Sequence, residues 1–219
     1  MDARAFKDTI YSEFTRIGKV LSSPKRIELL DLLSQSPKSV ETLSRETKMS
    51  IANTSKHLQA LLDARLVRYH KEKNFVIYQL ANPKVVDLLF TIKSIAEEQI
   101  ADINILREEF IVRDDSLETM ELEEWENRKE EDNYVLIDVR PKAEYLSGHL
   151  EGAISIPIDE LNEHLKKIPK GKEVVAYCRG PYCVYATEAV ELLQSKGYHA
   201  SRLEAGIHEW NQFHERQFH

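Results

Sequence analysis

Residues 49–67 read MSIANTSKHLQALLDARLV, a stretch that predicts a helix with one apolar and one polar face. Ser50 is a suitable N-cap because its hydroxyl can accept a hydrogen bond from a free N–H group of the first turn. The inward-facing positions are Thr54, Leu58, Leu61 and Leu62. A second helix, 40–47, is expected before it, capped by Ser39 and separated from it by a tight turn. Two short helices joined in this way form a helix-turn-helix.

A β-hairpin is predicted directly after these helices. The expected strands, 66–69 and 75–80, flank the basic segment His70-Lys71-Glu72-Lys73-Asn74. Between Lys38 and Lys73 there are eight Lys or Arg residues and four acidic residues. Polar groups on the helix can read base edges in the major groove of DNA, while cations on the hairpin can meet phosphates. The candidate DNA-binding residues are Ser50, Asn53, Ser55, Lys56, His57, Gln59, Arg68, Lys71 and Lys73.

Two alternatives stay open for this surface. The same polar side chains could be merely the solvated faces of a small helical domain. His57 is interpreted as a packing or surface histidine rather than as a reader of bases.

Apolar stripes also mark the helices on either side of the helix-turn-helix. In the first of them the apolar side chains recur at spacings of three or four residues, at Phe6, Ile10, Phe14, Ile17 and Leu21. A single long helix, 83–110, is expected after the hairpin. Because both helices carry such stripes, we expect them to form the seam of a homodimer.

The first half resembles the ArsR/SmtB family of dimeric winged-helix repressors. The resemblance covers residues 8–110 and is carried by the stretch quoted above, with Ser55, His57, Leu58 and Leu61 at its centre. It implies operator DNA as partner. Arg65 stands where the family usually has a glycine, so the entry into the wing is expected to differ.

Metal sensing, a common activity of that family, has little support in the residues. Thiolate and imidazole sites need several Cys or His ligands at close spacing. Residues 1–112 contain no cysteine and only the histidines His57 and His70. We therefore expect no metal and no cofactor, and keep a metal- or metalloid-responsive repressor as a third alternative.

The second half changes to short apolar runs that alternate with helices. Strands are expected at 135–137, 153–156, 173–177 and 200–203. Helices are expected at 120–130, 142–147, 158–168, 185–196 and 208–217. This alternation predicts a parallel α/β sheet.

Cys178 directly follows the third of these strands, and Cys183 ends the short loop before a helix. A loop between a parallel strand and a helix N-terminus is suited to anions, because free N–H groups and the helix dipole favour negative charge. A thiol placed there is expected to ionise more readily than a free thiol, whose pKa is about 8.5. We therefore predict a reactive Cys178 and hold inert packing as the alternative.

This half resembles the rhodanese, or thiosulfate sulfurtransferase, domain over residues 118–215. The matching pieces, in chain order, are Leu136-Ile137-Asp138-Val139-Arg140, Glu144, Gly148-His149-Leu150, Gly152-Ala153, Ile156-Pro157, Tyr177-Cys178-Arg179-Gly180, Leu203-Glu204-Ala205-Gly206 and Trp210. The resemblance implies that Cys178 is the nucleophile and carries a sulfane sulfur as a persulfide. It also implies that the loop residues Arg179, Gly180, Pro181 and Tyr182 cradle that sulfur. Asp138, Arg140, Glu144 and His149 are expected to hold the fold rather than take part in the chemistry.

Two positions of the loop distinguish related activities. Phosphatases of this fold need an arginine six positions after the nucleophile, where this chain has Val184, so a phosphatase is not expected. Cys183 stands five positions after the nucleophile, where rhodaneses usually have Arg or Thr. It is a candidate resolving thiol for Cys178, as in redox sensors, and equally a small residue that begins a helix.

Composition and charge set the outer limits. The 219 residues are 42% hydrophobic and 31% charged, which excludes disordered and collagen-like classes. No apolar run is long enough for a membrane span, and the first residues do not resemble a signal peptide. Two cysteines so close together cannot staple a chain of this size, so we expect the reducing cytosol, a cytoplasmic protein.

The formal net charge of −7 is unevenly distributed. Residues 1–112 carry 17 basic and 15 acidic residues, and the rest carry 13 and 22, so the halves differ as +2 and −9. We expect an α+β two-domain chain: a winged helix-turn-helix domain at 1–112, mostly α with a β-hairpin wing, an acidic linker at 113–119, and an α/β rhodanese-like domain with a parallel sheet at 120–219. Separate charge balances are typical of separate modules.

These observations favour a homodimeric transcriptional repressor that senses or transfers reactive sulfur through a Cys178 persulfide. Its expected partners are double-stranded operator DNA, a second copy of the chain, and a small sulfur compound such as thiosulfate, polysulfide or a persulfide, with no membrane. The alternative is an active sulfurtransferase with an accessory DNA-binding domain.

Overall fold

A computed structural model describes residues 1–113, 117–129 and 133–217. The chain forms two compact units, Met1–Ala96 and Glu97–His219. They divide ahead of the expected linker at 113–119, because residues that follow Glu97 make their contacts in the second unit. Residues 114–116 of that linker, and the expected end of a helix at residue 130, lie outside the described residues.

The first unit is helical with one small antiparallel sheet. Its helices are α1 (Ala3–Leu21), α2 (Pro24–Gln35), α3 (Val40–Glu46), α4 (Ile51–Asp63) and α5 (Lys84–Gln99). Its strands are β1 (Lys38–Ser39), β2 (Val67–Glu72) and β3 (Phe75–Leu80), in the order β1-β3-β2. Pairing of Val67 with Leu80 and of Glu72 with Phe75 confirms the predicted hairpin. This architecture is a winged helix-turn-helix.

Side-chain caps define the two helices of the helix-turn-helix as the sequence predicts. The Ser39 hydroxyl accepts a hydrogen bond from the Thr42 N–H at 3.2 Å, and the Ser50 hydroxyl accepts one from the Asn53 N–H at 3.2 Å. Lys48, in the turn between the helices, has a φ of 54°. The predicted inward positions of α4 are buried except for Leu62, which is half-buried.

The predicted single helix 83–110 is wrong. α5 ends at Gln99, Ile100 is extended, α6 covers Ala101–Arg107, and a π-helical turn covers Glu108–Val112. Neither proline nor glycine causes the break. Tertiary contacts hold the second segment instead: Arg107 forms an ion pair with Glu204, and the buried Thr187 hydroxyl donates to the Ile111 carbonyl at 3.0 Å.

The second unit is built on a five-stranded parallel sheet. Its strands are β4 (Thr119–Met120), β5 (Tyr134–Asp138), β6 (Ile154–Ser155), β7 (Glu173–Tyr177) and β8 (Ala200–Leu203), in the order β4-β8-β7-β5-β6. Its further helices are α7 (Leu122–Arg128), α8 (Lys142–Ser147), α9 (Leu161–His164), α10 (Val184–Ser195) and α11 (Ile207–Gln217). The predicted parallel α/β sheet is therefore confirmed, with β7 at its centre.

Two helix predictions of this half need correction. The segment expected as a helix from residue 120 begins as β4, whose backbone pairs with β8 through the Arg202 N–H and the Glu118 carbonyl at 2.8 Å. The segment expected as one helix at 158–168 consists of short 3₁₀ turns on either side of α9. In the first segment, strand pairing with β8 replaces the start of the expected helix. In the second, tight 3₁₀ turns interrupt it.

Apolar clusters lie on both faces of the sheet. One contains Ile137, Val174, Ala176 and Cys178 with α10, and the other contains Leu136, Val175, Tyr177 and Trp125. Alternate residues of β5 and β7 thus face opposite cores, as the two-residue period of a strand requires. Among the described residues, no helix is both long and apolar enough to cross a membrane.

Candidate functional site

Both cysteines of the chain lie in the loop that leaves the carboxyl end of β7. Cys178 follows directly after Tyr177 and is buried, while Cys183 is half-buried and occupies the N-cap position of α10 without a side-chain capping hydrogen bond. The two are joined by a disulfide across a Cα–Cα distance of 6.2 Å. The loop therefore places two sulfurs within bonding distance of each other, at the end of a central strand and the start of a helix.

The loop backbone is held by its neighbours in the fold. The Arg179 guanidinium forms a double contact with the buried Glu144 carboxylate, at 2.9 Å and 2.5 Å. Gly180 has a φ of +120°, a conformation that only glycine adopts readily. Gly206 approaches so closely that a Cβ there would lie 2.8 Å from the carbonyl carbon of Arg179. These contacts fix the cysteine loop before any ligand arrives.

The predicted cradle of loop residues is only partly available for an anion. Pro181 has no N–H, and the Cys183 N–H donates to the Gly180 carbonyl at 3.2 Å. The charge of Arg179 is paired with Glu144, so it does not stand free for a ligand. Tyr182 donates its hydroxyl to Glu97 at 2.5 Å, and burial, together with this hydrogen bond, raises the pKa of Tyr182. The loop N–H groups of Gly180 and Tyr182 are left as candidates for contact with an anion.

The buried acidic and basic residues of the second unit hold the fold, as the resemblance to rhodanese implies. The Arg140 guanidinium donates to the Asp138 carboxylate at 2.6 Å and to the Gly148 carbonyl at 2.7 Å, and both charged groups are fully buried. The Tyr177 hydroxyl donates to Asp138 at 2.6 Å and accepts from the Leu150 N–H at 3.0 Å. Burial and the nearby Asp138 charge raise the pKa of Tyr177, so this hydroxyl stays a donor.

His149 and Val184 lie outside the chemistry of the loop. The His149 ring stacks on Tyr145 with centroids 3.9 Å apart, and its Nδ1 lies 2.9 Å from the Tyr145 carbonyl. Val184, the first residue of α10, is an exposed apolar side chain at the position where a phosphatase would need arginine. The Val184 side chain offers no charge to a ligand.

A cavity of about 240 Å³ adjoins the loop, and its wall includes residues that the sequence analysis missed. Pro181 and Tyr182 line one side, and Asn104 and Arg107 of α6 line another. The acidic residues of the wall are Glu97, Glu121, Glu204 and Glu209. No pattern in the sequence pointed to α6, because the segment was expected to continue a helix of the other half.

We call α4 the reading helix, because its polar residues are the predicted readers of base edges. Some of these residues are exposed and others are engaged in local contacts. Asn53, Ser55, Lys56 and Gln59 are exposed on α4. Gln59 donates to Asp63 at 2.7 Å, and the Asn53 amide lies 3.6 Å from the sulfur of Met49. Ser50 is exposed but uses its hydroxyl to cap the helix, so it is committed to structure.

His57 is half-buried, in agreement with its interpretation as a packing histidine. Burial lowers its pKa, and the nearby charges of Arg26, Lys56 and Lys25 act in the same direction. A histidine with a lowered pKa is neutral at physiological pH, so His57 brings no positive charge to a DNA phosphate there.

The predicted phosphate-binding cations of the wing, the hairpin of β2 and β3, are exposed to solvent. Arg68 and Lys71 are exposed on β2, and Lys73 is exposed in the hairpin turn with a φ of 54°. Arg65, at the exit of α4, has a φ of 58°. Arg65 therefore adopts the left-handed conformation for which the family usually has a glycine. The difference that we expected at the entry to the wing is not seen at this residue.

Comparison with known proteins finds a different family in each half of the chain. Residues 23–69 match the family model of the bacterial regulatory proteins of the arsR family, and residues 121–213 match that of the rhodanese-like domain.

Relatives match the whole chain and its parts. The HTH-type transcriptional regulator Rv0324 of Mycobacterium tuberculosis is 35% identical over 205 residues, which are 93% of this chain and 89% of that protein. A protein of Allochromatium vinosum named sulfurtransferase is 31% identical over 80 residues, 36% of this chain and 73% of its own length. A homodimeric winged helix-turn-helix DNA-binding domain from Mycobacterium bovis is 30% identical, with a TM-score of 0.42, covering 46% of this chain and 91% of that structure. With a full-length relative and two domain models in agreement, the chain belongs to the arsR family of transcriptional regulators, as a member that combines the winged helix-turn-helix with a rhodanese-like domain.

Proposed function

We propose that this regulator is a repressor that binds operator DNA as a homodimer and responds to reactive sulfane sulfur through Cys178. The single observation that carries the proposal is the Cys178–Cys183 disulfide in the loop after β7. A rhodanese-type nucleophile with a second cysteine at bonding distance can store an oxidation as well as pass on a sulfur atom. Such a pair is typical of redox sensors.

The sulfur chemistry starts from the reduced pair. The Cys178 thiolate attacks the outer sulfur of a hydropersulfide RSSH, a new bond forms to Cys178 Sγ, and the donor leaves as the thiolate RS⁻. The Cys183 thiolate then attacks Cys178 Sγ, which forms the disulfide and releases HS⁻. Two cysteine thiols are oxidised, the sulfane sulfur is reduced to sulfide, and the two cysteine protons end on the leaving groups. The positive end of the α10 dipole favours negative charge at Cys183 during this exchange.

A route from the loop towards the DNA-binding half begins at Tyr182. This residue lies between the two cysteines and donates its hydroxyl to Glu97, which belongs to the last turn of α5. α5 is the helix that follows the wing in the chain. A loop rearrangement that breaks this hydrogen bond would change the constraint on the end of α5 and so shift the DNA-competent population.

Dimerisation is supported by apolar side chains that one copy leaves exposed. α1 buries none of its residues and exposes Phe6, Tyr11 and Phe14. Burial of such side chains contributes about 25 cal/mol for each Å² of apolar surface removed from water. A second copy of the chain that covers α1 would bring two reading helices to half-sites about 34 Å apart.

The test compares DNA affinity before and after exposure to polysulfide, on the reduced full-length protein. We expect at least a tenfold change in affinity for operator DNA in the wild type, and none in Cys178→Ser. Intact mass on the same sample reports a gain of one sulfur for the persulfide or a loss of two hydrogens for the disulfide. Cys183→Ser separates the two states, because it can form only the persulfide. If the reduced, persulfide and disulfide forms of the protein bound operator DNA with equal affinity, the proposed response would be overturned.

A second candidate, an active sulfurtransferase, is favoured by the rhodanese-like match and by the position of Cys178 at the end of β7. It predicts repeated turnover of thiosulfate with cyanide, abolished by Cys178→Ser. A single loading without turnover supports the sensor instead.

A further inference from the structure

The cavity beside the cysteine loop has the size of a small organic ligand. Its volume of about 240 Å³ has room for roughly eight water-sized groups at about 30 Å³ each. The loop residues Pro181 and Tyr182 form part of its wall, so a ligand inside it touches the chain between the two cysteines. Position and size together suit the organic part of a sulfur compound that exchanges with the loop.

The wall of the cavity is predominantly acidic. It carries four carboxylates, those of Glu97, Glu121, Glu204 and Glu209, against the single guanidinium of Arg107. Arg107 is paired with Glu204, and Glu97 accepts the Tyr182 hydrogen bond. Glu209 lies against the loop itself, with its carboxylate about 3 Å from where a Cβ of Gly180 would stand. A dianion such as thiosulfate is repelled by this wall, whereas an ammonium group is attracted.

Two buried guanidinium N–H groups find no acceptor among the described residues, and the one on Arg107, which lines the cavity, points to a second, anionic group on the ligand. Arg202 of β8 is only 2% exposed, and among the described residues its buried Nη2 finds no hydrogen-bond acceptor. The buried Nε of Arg107 also finds none there. Burial, followed by the charge of Arg107, lowers the pKa of Arg202 to about 10. A buried N–H group without an acceptor destabilises the protein, and a ligand carboxylate can supply the missing acceptor.

We propose that the cavity binds a zwitterionic amino-acid thiol, or its persulfide, and presents its sulfur to the Cys178–Cys183 pair. The ammonium group meets the carboxylates of Glu121 and Glu209, and the ligand carboxylate meets Arg107. The inference rests on the proposed function for the role of the loop, and it narrows the sulfur compound from three classes to one. A cysteine-sized molecule fits the volume, because its persulfide has eight non-hydrogen atoms.

The exchange with the disulfide begins at Cys183, since Cys178 is buried and Cys183 is half-buried. The thiol of the ligand loses its proton to solvent, and its thiolate attacks Cys183 Sγ. The bond between the two cysteines breaks, a mixed disulfide forms at Cys183, and Cys178 leaves as a thiolate. A second molecule of the thiol releases Cys183, so that two ligand thiols are oxidised and the pair is reduced.

The experiment uses the full chain in its disulfide form with three thiols. L-Cysteine has both charged groups, cysteamine lacks the carboxylate, and 3-mercaptopropionate lacks the ammonium group. The rate at which cysteine thiols appear is followed by rapid alkylation and intact mass. Each rate is divided by the rate of the same thiol with a small soluble disulfide, which removes differences in intrinsic reactivity.

We expect a normalised rate for L-cysteine at least tenfold above that for 3-mercaptopropionate and severalfold above that for cysteamine. Glu121→Gln removes one exposed carboxylate of the wall. It should reduce the ratio of the L-cysteine rate to the 3-mercaptopropionate rate at least threefold. Glu123→Gln changes an exposed residue in the first turn of α7, outside the cavity, and should leave that ratio unchanged. Three normalised rates within twofold of one another, or an unchanged preference in Glu121→Gln, would overturn the proposal.

This result is independent of DNA binding. If the repressor did not respond to sulfur, the preference for L-cysteine would persist while DNA affinity stayed constant. If the cavity were not the site, DNA affinity could still respond to polysulfide while the three thiols reacted alike.

Discussion

Arg65 has a left-handed backbone conformation at the exit of α4. Its φ of 58° is in the left-handed region, which costs a non-glycine residue about 1–2 kcal/mol. The backbone there is fully engaged, with the Arg65 N–H bonded to the Leu62 carbonyl at 2.9 Å and the Leu66 N–H to the Leu61 carbonyl at 3.0 Å. The turn is therefore imposed by the end of α4 and not by the arginine side chain.

Replacing Arg65 by glycine is expected to stabilise the protein by about 0.5–1 kcal/mol, because the relief of strain exceeds the added flexibility of the unfolded chain. Arg65→Ala is the control, since it removes the same side chain and keeps the strain. Chemical denaturation of both variants measures the difference. Equal stabilities of the two variants would contradict the strain argument.

For single residues, the sequence predicted a role correctly where the chemistry of the residue type and its place in the motif allow few alternatives. The paired charges of Asp138 and Arg140 and the two loop cysteines could be named in advance. Arg202 was missed, although a charged residue inside the short apolar strand 200–203 is a signal of its own. Glu97 and Arg107 could not be found at all, because their significance comes from contacts with residues far away in the chain.

Among the elements, length and periodicity decided what could be predicted. β7, β8 and α8 have the predicted bounds. β4 has only two residues, too few to show any period, and only its pairing with β8 defines it. The break at Ile100 has no local cause in the sequence, because contacts of α6 and of the turn after it with the rest of the second unit decide it.

The turn between β8 and α11 supports the cysteine loop, and Gly206 is its point of closest approach. A Cβ at Gly206 would lie 2.8 Å from the Gly180 nitrogen and 2.9 Å from the Cys178 carbonyl oxygen, so Gly206→Ala must displace the loop. We expect a loss of about 1–3 kcal/mol in stability and at least a tenfold slower reaction of the reduced protein with polysulfide.

The matched control is Gly171→Ala, because a Cβ there meets no atom within 4 Å. Thermal unfolding and the rate of mass gain are measured on both variants. A reaction rate for Gly206→Ala equal to that of the wild type would show that the loop tolerates displacement, and that the fixed backbone is not needed for the chemistry.

For the whole molecule, the net charge of −7 conceals the electrostatics of DNA binding. The first 112 residues hold 17 basic against 15 acidic residues, and the exposed cations Lys56, Arg68, Lys71 and Lys73 are concentrated on the reading helix and wing. Each phosphate contact contributes about −0.9 to the slope of log affinity against log salt concentration. A dimer presents each of these cations twice.

Lys71→Ala is therefore expected to reduce the magnitude of that slope by about 2, because it removes one phosphate contact from each copy of a dimer. Its effect on affinity should be nearly the same for operator and unrelated DNA, since a phosphate contact carries no sequence information. Fluorescence anisotropy with both DNAs over a range of salt concentrations measures the slope. Lys166→Ala, which removes an exposed lysine of the rhodanese-like half, is the control with an unchanged slope. A reduction of about 1 would instead indicate that a single wing contacts DNA, and an unchanged slope for Lys71→Ala would exclude this residue from the phosphate contacts.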